Sequence, residues 1–150
     1  MTDVDARWRR PETLLVLMAA AVPLSFATWM ALLNNFAIER AAFTGAEMGV
    51  LQSLREIPGF LAFAVVFVIL IMREQTLAFW SLLLLGLGTA VTGIFPTVLG
   101  LYITTVIMSL GFHYYETMQT SLALQWLPKA RAPEVLGKII AAGSFTSLAA

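Results

Sequence analysis

The sequence predicts an all-α membrane protein, a transmembrane helix bundle, and three observations predict it. Four continuous apolar runs are each long enough to cross a bilayer core of about 30 Å, which takes roughly 20 residues. Short polar links separate them, and no stretch between them reads as a soluble domain. Composition agrees: 59% of the residues are hydrophobic, 12% are charged and the mean hydropathy is +0.84, whereas about a quarter of the residues in soluble domains are charged. A membrane barrel would alternate apolar and polar residues in short strands. The stretches Phe60 to Met72 and Phe79 to Gly88 are instead apolar throughout or nearly so, as helices that satisfy their own backbone in lipid are.

The first helix is expected over 12–36, with its apolar run from Leu14 to Phe36 and the basic residues Arg7, Arg9 and Arg10 before it. A cleaved signal peptide is the competing reading of this start. The apolar character continues past Ala27 through Leu33, too far for a signal core, so the segment is read as an uncleaved helix. The second helix is expected over 48–72. Pro23 and Pro58 lie inside the first and second spans, where each removes a backbone donor and can kink its helix. The third, 76–95, carries only Ser81, Thr89 and Thr92 as polar groups along its length and reads as a peripheral helix against lipid. The fourth is expected over 97–127. A fifth run begins at 134 and extends to 150; at about 1.5 Å per residue it crosses only part of the hydrocarbon. The expectation is therefore an N-terminal bundle truncated within its fifth helix, the front piece of a longer protein. Gly86, Gly88 and Gly93, then Gly100, Ser109 and Gly111, and the run Ala141 to Ser144 are small enough for close helix approach.

Charge placement orients the chain, because short cytoplasmic loops carry the excess of Lys and Arg. Arg7, Arg9 and Arg10, then Arg73, then Lys129, Arg131 and Lys138 fall on one side; the other side holds only Arg40. The amino terminus is placed in the cytoplasm, and the lipid bilayer is the first partner. Net charge is zero, so no nucleic acid is indicated, and the absence of cysteine excludes disulfides, thiolate metal sites and thiol nucleophiles.

Polar residues inside the spans carry the functional information. At 100° per residue, Tyr102, Thr105, Ser109, His113, Glu116, Thr117 and Thr120 share one face of the fourth span, opposite Ile103, Ile107, Met118 and Leu122. Such a stripe belongs against a water-filled cavity or the bundle interior, since lipid would leave it unsatisfied. Ser25, Thr28, Trp29 and Asn35 form a fainter face on the first span, with Asn34 pointing away. Ionisable groups at membrane depth cost about 2.5–3.5 kcal/mol on insertion scales and are functional candidates by default. Arg55 and Glu56 in the second span and His113 and Glu116 in the fourth are those groups, and an Arg55–Glu116 pair would neutralise both. The structural alternatives stay open: Arg55 as a tie between helices, and Glu116 beside His113 as satisfied polar packing.

The chain resembles the major facilitator superfamily of secondary transporters. The similarity lies in "AFTGAEMGVLQSLREIPGF", which looks like the loop and second-helix entry of that family, and in "LALQWLPKARAPEVLGKIIAAGSF", similar to its link between helices four and five, with Trp126, Pro128, Lys129, Arg131 and Gly137 at familiar places. The family's Gly-x-x-x-Asp-Arg-x-Gly signature between helices two and three is absent; only Arg73 and Glu74 stand in that link. The resemblance implies a fold in which helices one and four line a central cavity and helix three is peripheral. It also implies alternating-access movement of a small solute, with protons as a candidate coupling ion and the missing C-terminal half of the same transporter as partner. In that setting Arg55 would bind an anionic group or gate the cavity, with Glu56 beside it as a further pathway or coupling candidate, His113 and Glu116 would handle protons or solute polarity, and Asn35 and Gln119 would supply hydrogen bonds. A bacterial inner membrane is the expected location, and no metal or organic cofactor is implied. A non-transporting scaffold or assembly subunit, or an intramembrane enzyme using His113 and Glu116 as acid and base, are the rival classes.

Overall fold

The structure, a computed structural model, describes residues 11–149, so the basic residues Arg7, Arg9 and Arg10 and the terminal Ala150 lie outside it. Among the described residues every regular element is helical: α1 (Pro11–Ala41), α2 (Gly45–Phe60), a 3-10 turn (Leu61–Ala64), α3 (Val65–Ile69), α4 (Glu74–Thr92), α5 (Val98–Trp126) and α6 (Ala132–Ala149). Pro11–Ala41, Gly45–Ile69, Glu74–Thr92 and Val98–Trp126 are long and apolar enough to cross a membrane. They match the expected spans to within a few residues.

The first span runs on to Ala41, beyond the expected end at Phe36, because Ala37 to Ala41 are mostly good helix formers. Its stop is a single left-handed residue, Ala42, at φ 53°. That turn sends Phe43 inward, where its N–H donates to the Ala37 carbonyl at 3.1 Å and its ring meets Tyr102 edge-on at 5.8 Å. The next helix starts at once. Thr44 caps it, accepting from the Glu47 N–H, while the Glu47 carboxylate accepts from the Thr44 N–H at 2.8 Å, so two otherwise orphaned donors are satisfied.

The expected second span is not one uniform helix. Pro58 lacks the donor that would close the bond to Leu54, and three residues later the backbone tightens into the 3-10 turn before α3 resumes the α form. No side chain of Leu61–Ala64 is buried.

The described residues pack as two compact units, one of residues 11–31 together with 120–149, the other of Leu32–Gln119. In the first unit the start of α1 meets the end of α5 and α6. Leu15, Ala123, Leu127, Ala132 and Val135 form its core, with Leu136 and Ile139 against it. Arg131 bridges to Glu12 at 2.8 Å. Higher up, Gly143 lets α6 approach α1 so closely that a Cβ there would lie 3.1 Å from the Ala19 carbonyl oxygen.

In the second unit α4 and α5 run antiparallel with their backbones in contact. A Cβ at Gly88 would fall 2.7 Å from the Met108 nitrogen, and one at Gly111 would fall 2.5 Å from the Ser81 carbonyl oxygen, so hydrogen is the only side chain that fits either place. Gly86 and Gly93, which the sequence also offers, have open space around them. α4 buries Leu77, Ala78, Ser81, Leu85, Gly88 and Thr92 and exposes Phe79, Trp80, Leu83 and Leu87.

Candidate functional site

All six candidate residues, Asn35, Arg55, Glu56, His113, Glu116 and Gln119, lie in the second unit. α5 is the element that organises them, and its polar stripe is divided in use. The first part of the stripe packs against α2. The Tyr102 hydroxyl donates to the Glu47 carbonyl at 3.1 Å, the Ser109 hydroxyl donates to the Arg55 carbonyl, and the His113 ring lies on the backbone of Gly59. Residue numbers rise together along both helices, so α2 and α5 are parallel, as alternate spans of one chain must be. Thr105 and Ser109 are 0% and 1% exposed. This part of the stripe faces the bundle interior, the drier of the two settings that its pattern allowed.

Beyond His113 the same stripe opens. Glu116 and Thr117 are exposed, and the Thr117 hydroxyl donates back to the His113 carbonyl at 2.9 Å. The imidazole itself is half-buried and meets the Phe112 ring edge-on at 5.3 Å. Gln119 is half-buried and Asn35 exposed. The opposite face is not uniform either: Ile103 is exposed, whereas Met118 and Leu122 are buried.

On α2 the structure pairs Arg55 with its own neighbour. The guanidinium lies 2.6 Å from the Glu56 carboxylate through Nη2 and 2.9 Å through Nε, a two-pronged contact. Adjacent positions on a helix diverge by about 100°, and it is the length of the arginine stem that closes the gap. The Arg55 side chain is 19% exposed and that of Glu56 52%, so the arginine is the inner member of the pair.

Some neighbours were not foreseen. On α1 it is Asn34, not Asn35, that bridges to α2, accepting from the Gln52 amide at 3.4 Å. Trp29, grouped by periodicity with Ser25 and Thr28, is buried while both of those are exposed. Gly59 was also missed, although its signal stood in the sequence: Pro-Gly inside an apolar run marks irregular backbone. Among the described residues no group of three or more His, Cys, Asp or Glu side chains converges as a metal site would require.

Among the described residues two buried hydroxyls, Thr105 Oγ1 and Tyr115 Oη, have no hydrogen-bond partner. A buried unsatisfied hydroxyl costs about 1–3 kcal/mol. Thr105→Val and Tyr115→Phe should each therefore raise the thermal unfolding midpoint of the detergent-solubilised protein, by about 1 kcal/mol in stability. A fall in either midpoint would mean that the hydroxyl is bonded in the membrane.

No protein-family model, curated protein or solved structure matches this chain at a significant level.

Proposed function

We propose that this chain is one bundle of a secondary transporter of the major facilitator type, which moves a small solute across a bacterial inner membrane by alternating access. The observation that supports this most is the exposed Glu116–Thr117 segment of α5, next to the half-buried His113, on a helix long and apolar enough to cross a membrane. A carboxylate facing hydrocarbon costs about 2.5–3.5 kcal/mol, so this face belongs against water or a second bundle. In this reading Glu116 and His113 carry the proton or the solute's polar group, Gln119 and Asn35 add hydrogen bonds, and the Arg55–Glu56 pair sits on the neighbouring helix as the anionic-group contact or gate. The amino terminus and the Lys129 to Lys138 link are cytoplasmic.

The test is reconstitution of the complete transporter in liposomes with a trapped pH-sensitive dye. A panel of small organic anions should include at least one that produces proton movement, and the first 150 residues alone should produce none with the same solute. Proton movement by those residues alone, or none by the complete protein with any solute, would overturn the proposal. A non-transporting scaffold is the second reading, favoured by the hydrogen bonds that Tyr102 and Ser109 make to α2 carbonyls.

A further inference from the structure

We infer that Gly59 is the positioning residue for His113 across the contact between α2 and α5. A Cβ at position 59 would lie 3.1 Å from the imidazole Cε1, 3.2 Å from Nε2 and 3.5 Å from Nδ1. Contacts that short force the neighbour to move. The helices cannot simply part to make room, because one turn earlier the Ser109 hydroxyl is bonded to the Arg55 carbonyl, and beyond that Tyr102 is bonded to Glu47. The step from Ser109 to His113 along α5 equals the step from Arg55 to Gly59 along α2, so the two contacts belong to one register. A side chain at 59 would thus push the ring, not the helix.

The place of this contact gives it a consequence. On the Tyr102 side of it, Leu51, Thr105 and Ser109 are buried. On the far side α2 becomes the 3-10 turn Leu61–Ala64, none of whose side chains is buried, and α5 presents the exposed Glu116 and Thr117. The imidazole therefore stands where α5 begins to expose part of its polar face, while Tyr115 and Met118 on α5 and Val65 beyond the turn stay buried. Glycine at 59 keeps both ring nitrogens against α2 at that level. This rests on the proposed transport only for its functional meaning; the positioning itself is a property of the fold.

The chain contains a single histidine, so carbethoxylation by diethyl pyrocarbonate, followed through the absorbance of the modified imidazole, reports position 113 alone. In this chain Gly59→Ala should raise the modification rate above that of the unsubstituted protein, because the ring must give way and its nitrogens lose their cover on α2. Gly86→Ala, where nothing lies within 4 Å, should leave the rate unchanged. An unaltered rate in Gly59→Ala would overturn the inference. The second readout is coupling: Gly59→Ala should lower the thermal midpoint when His113 is present and not in a His113→Ala background. Equal losses in both backgrounds would mean that glycine serves the α2 backbone only, and would also overturn it. Should Gly59→Ala fail to accumulate, recovery in the His113→Ala background supports the contact and continued absence contradicts it. Neither readout requires transport, so an absence of solute-driven proton movement would remove the functional proposal while leaving this one standing.

Discussion

Gly111→Ala is expected to be among the most damaging small substitutions in this chain. The methyl group would have to occupy space held by the Ser81 carbonyl and the Leu85 backbone of α4, where a Cβ at position 111 would lie 2.5 Å from the carbonyl oxygen and 2.9 Å from the Leu85 Cα. Backbone cannot rotate aside as a side chain can, so α4 and α5 must separate and the packing around Met108 and Gly88 is lost with them. Overpacking of a filled core costs about 1–3 kcal/mol, and the rigid neighbours here put the loss at the upper end. Gly86→Ala provides the contrast. It adds the same methyl on α4 where nothing lies within 4 Å, and a helical Gly→Ala change gains up to about 1 kcal/mol. Thermal unfolding of both variants in one detergent checks the pair. Equal midpoints would contradict the close α4–α5 contact.

The largest functional effect is expected from removing charge at the candidate site. If the proposed transport holds, Arg55→Gln and Glu116→Gln should each abolish solute movement. For Glu116 the protein should persist in the membrane, because the residue lies on an exposed face. For Arg55 the outcome distinguishes two roles. Its guanidinium is the inner, partly covered member of the pair with Glu56. A structural tie therefore predicts lowered abundance, whereas a transport role predicts normal abundance with no activity. Abundance is read by immunoblot and activity by dye response. Full activity in either variant would leave His113 and the hydroxyls as the only candidates.

Element existence was legible in the sequence because burial in lipid demands length and continuity, and both are visible in Leu14 to Phe36 or Thr97 to Leu127. The stripe on α5 was legible for a similar reason, since helical periodicity is a local property. What covers each part of the stripe was not. Periodicity places Ser109 and Glu116 on one face, yet Ser109 meets the Arg55 carbonyl while Glu116 is exposed. The difference arises on another helix, where α2 changes form after Pro58 and Gly59. The same limit applies to Asn34 and Asn35: adjacent amides look alike in sequence, and only the position of Gln52 selects one of them. Glycines were recognisable as permissive, but which of them touch a neighbour is decided by the register between α4 and α5. Gly88 and Gly111 do, and Gly86 and Gly93 do not.

In the proposed reading the α5 stripe changes at His113 from a covered seam to a water-reached face opening toward the cytoplasm. Single cysteines at Ser109, Thr117 and Ile103 in this cysteine-free chain, treated with a membrane-impermeant thiol reagent, test it directly. Labelling at Thr117 only, and only in inverted vesicles, is the result the account predicts. Equal labelling at Ser109 and Thr117, or labelling of Thr117 from the external side, would contradict it.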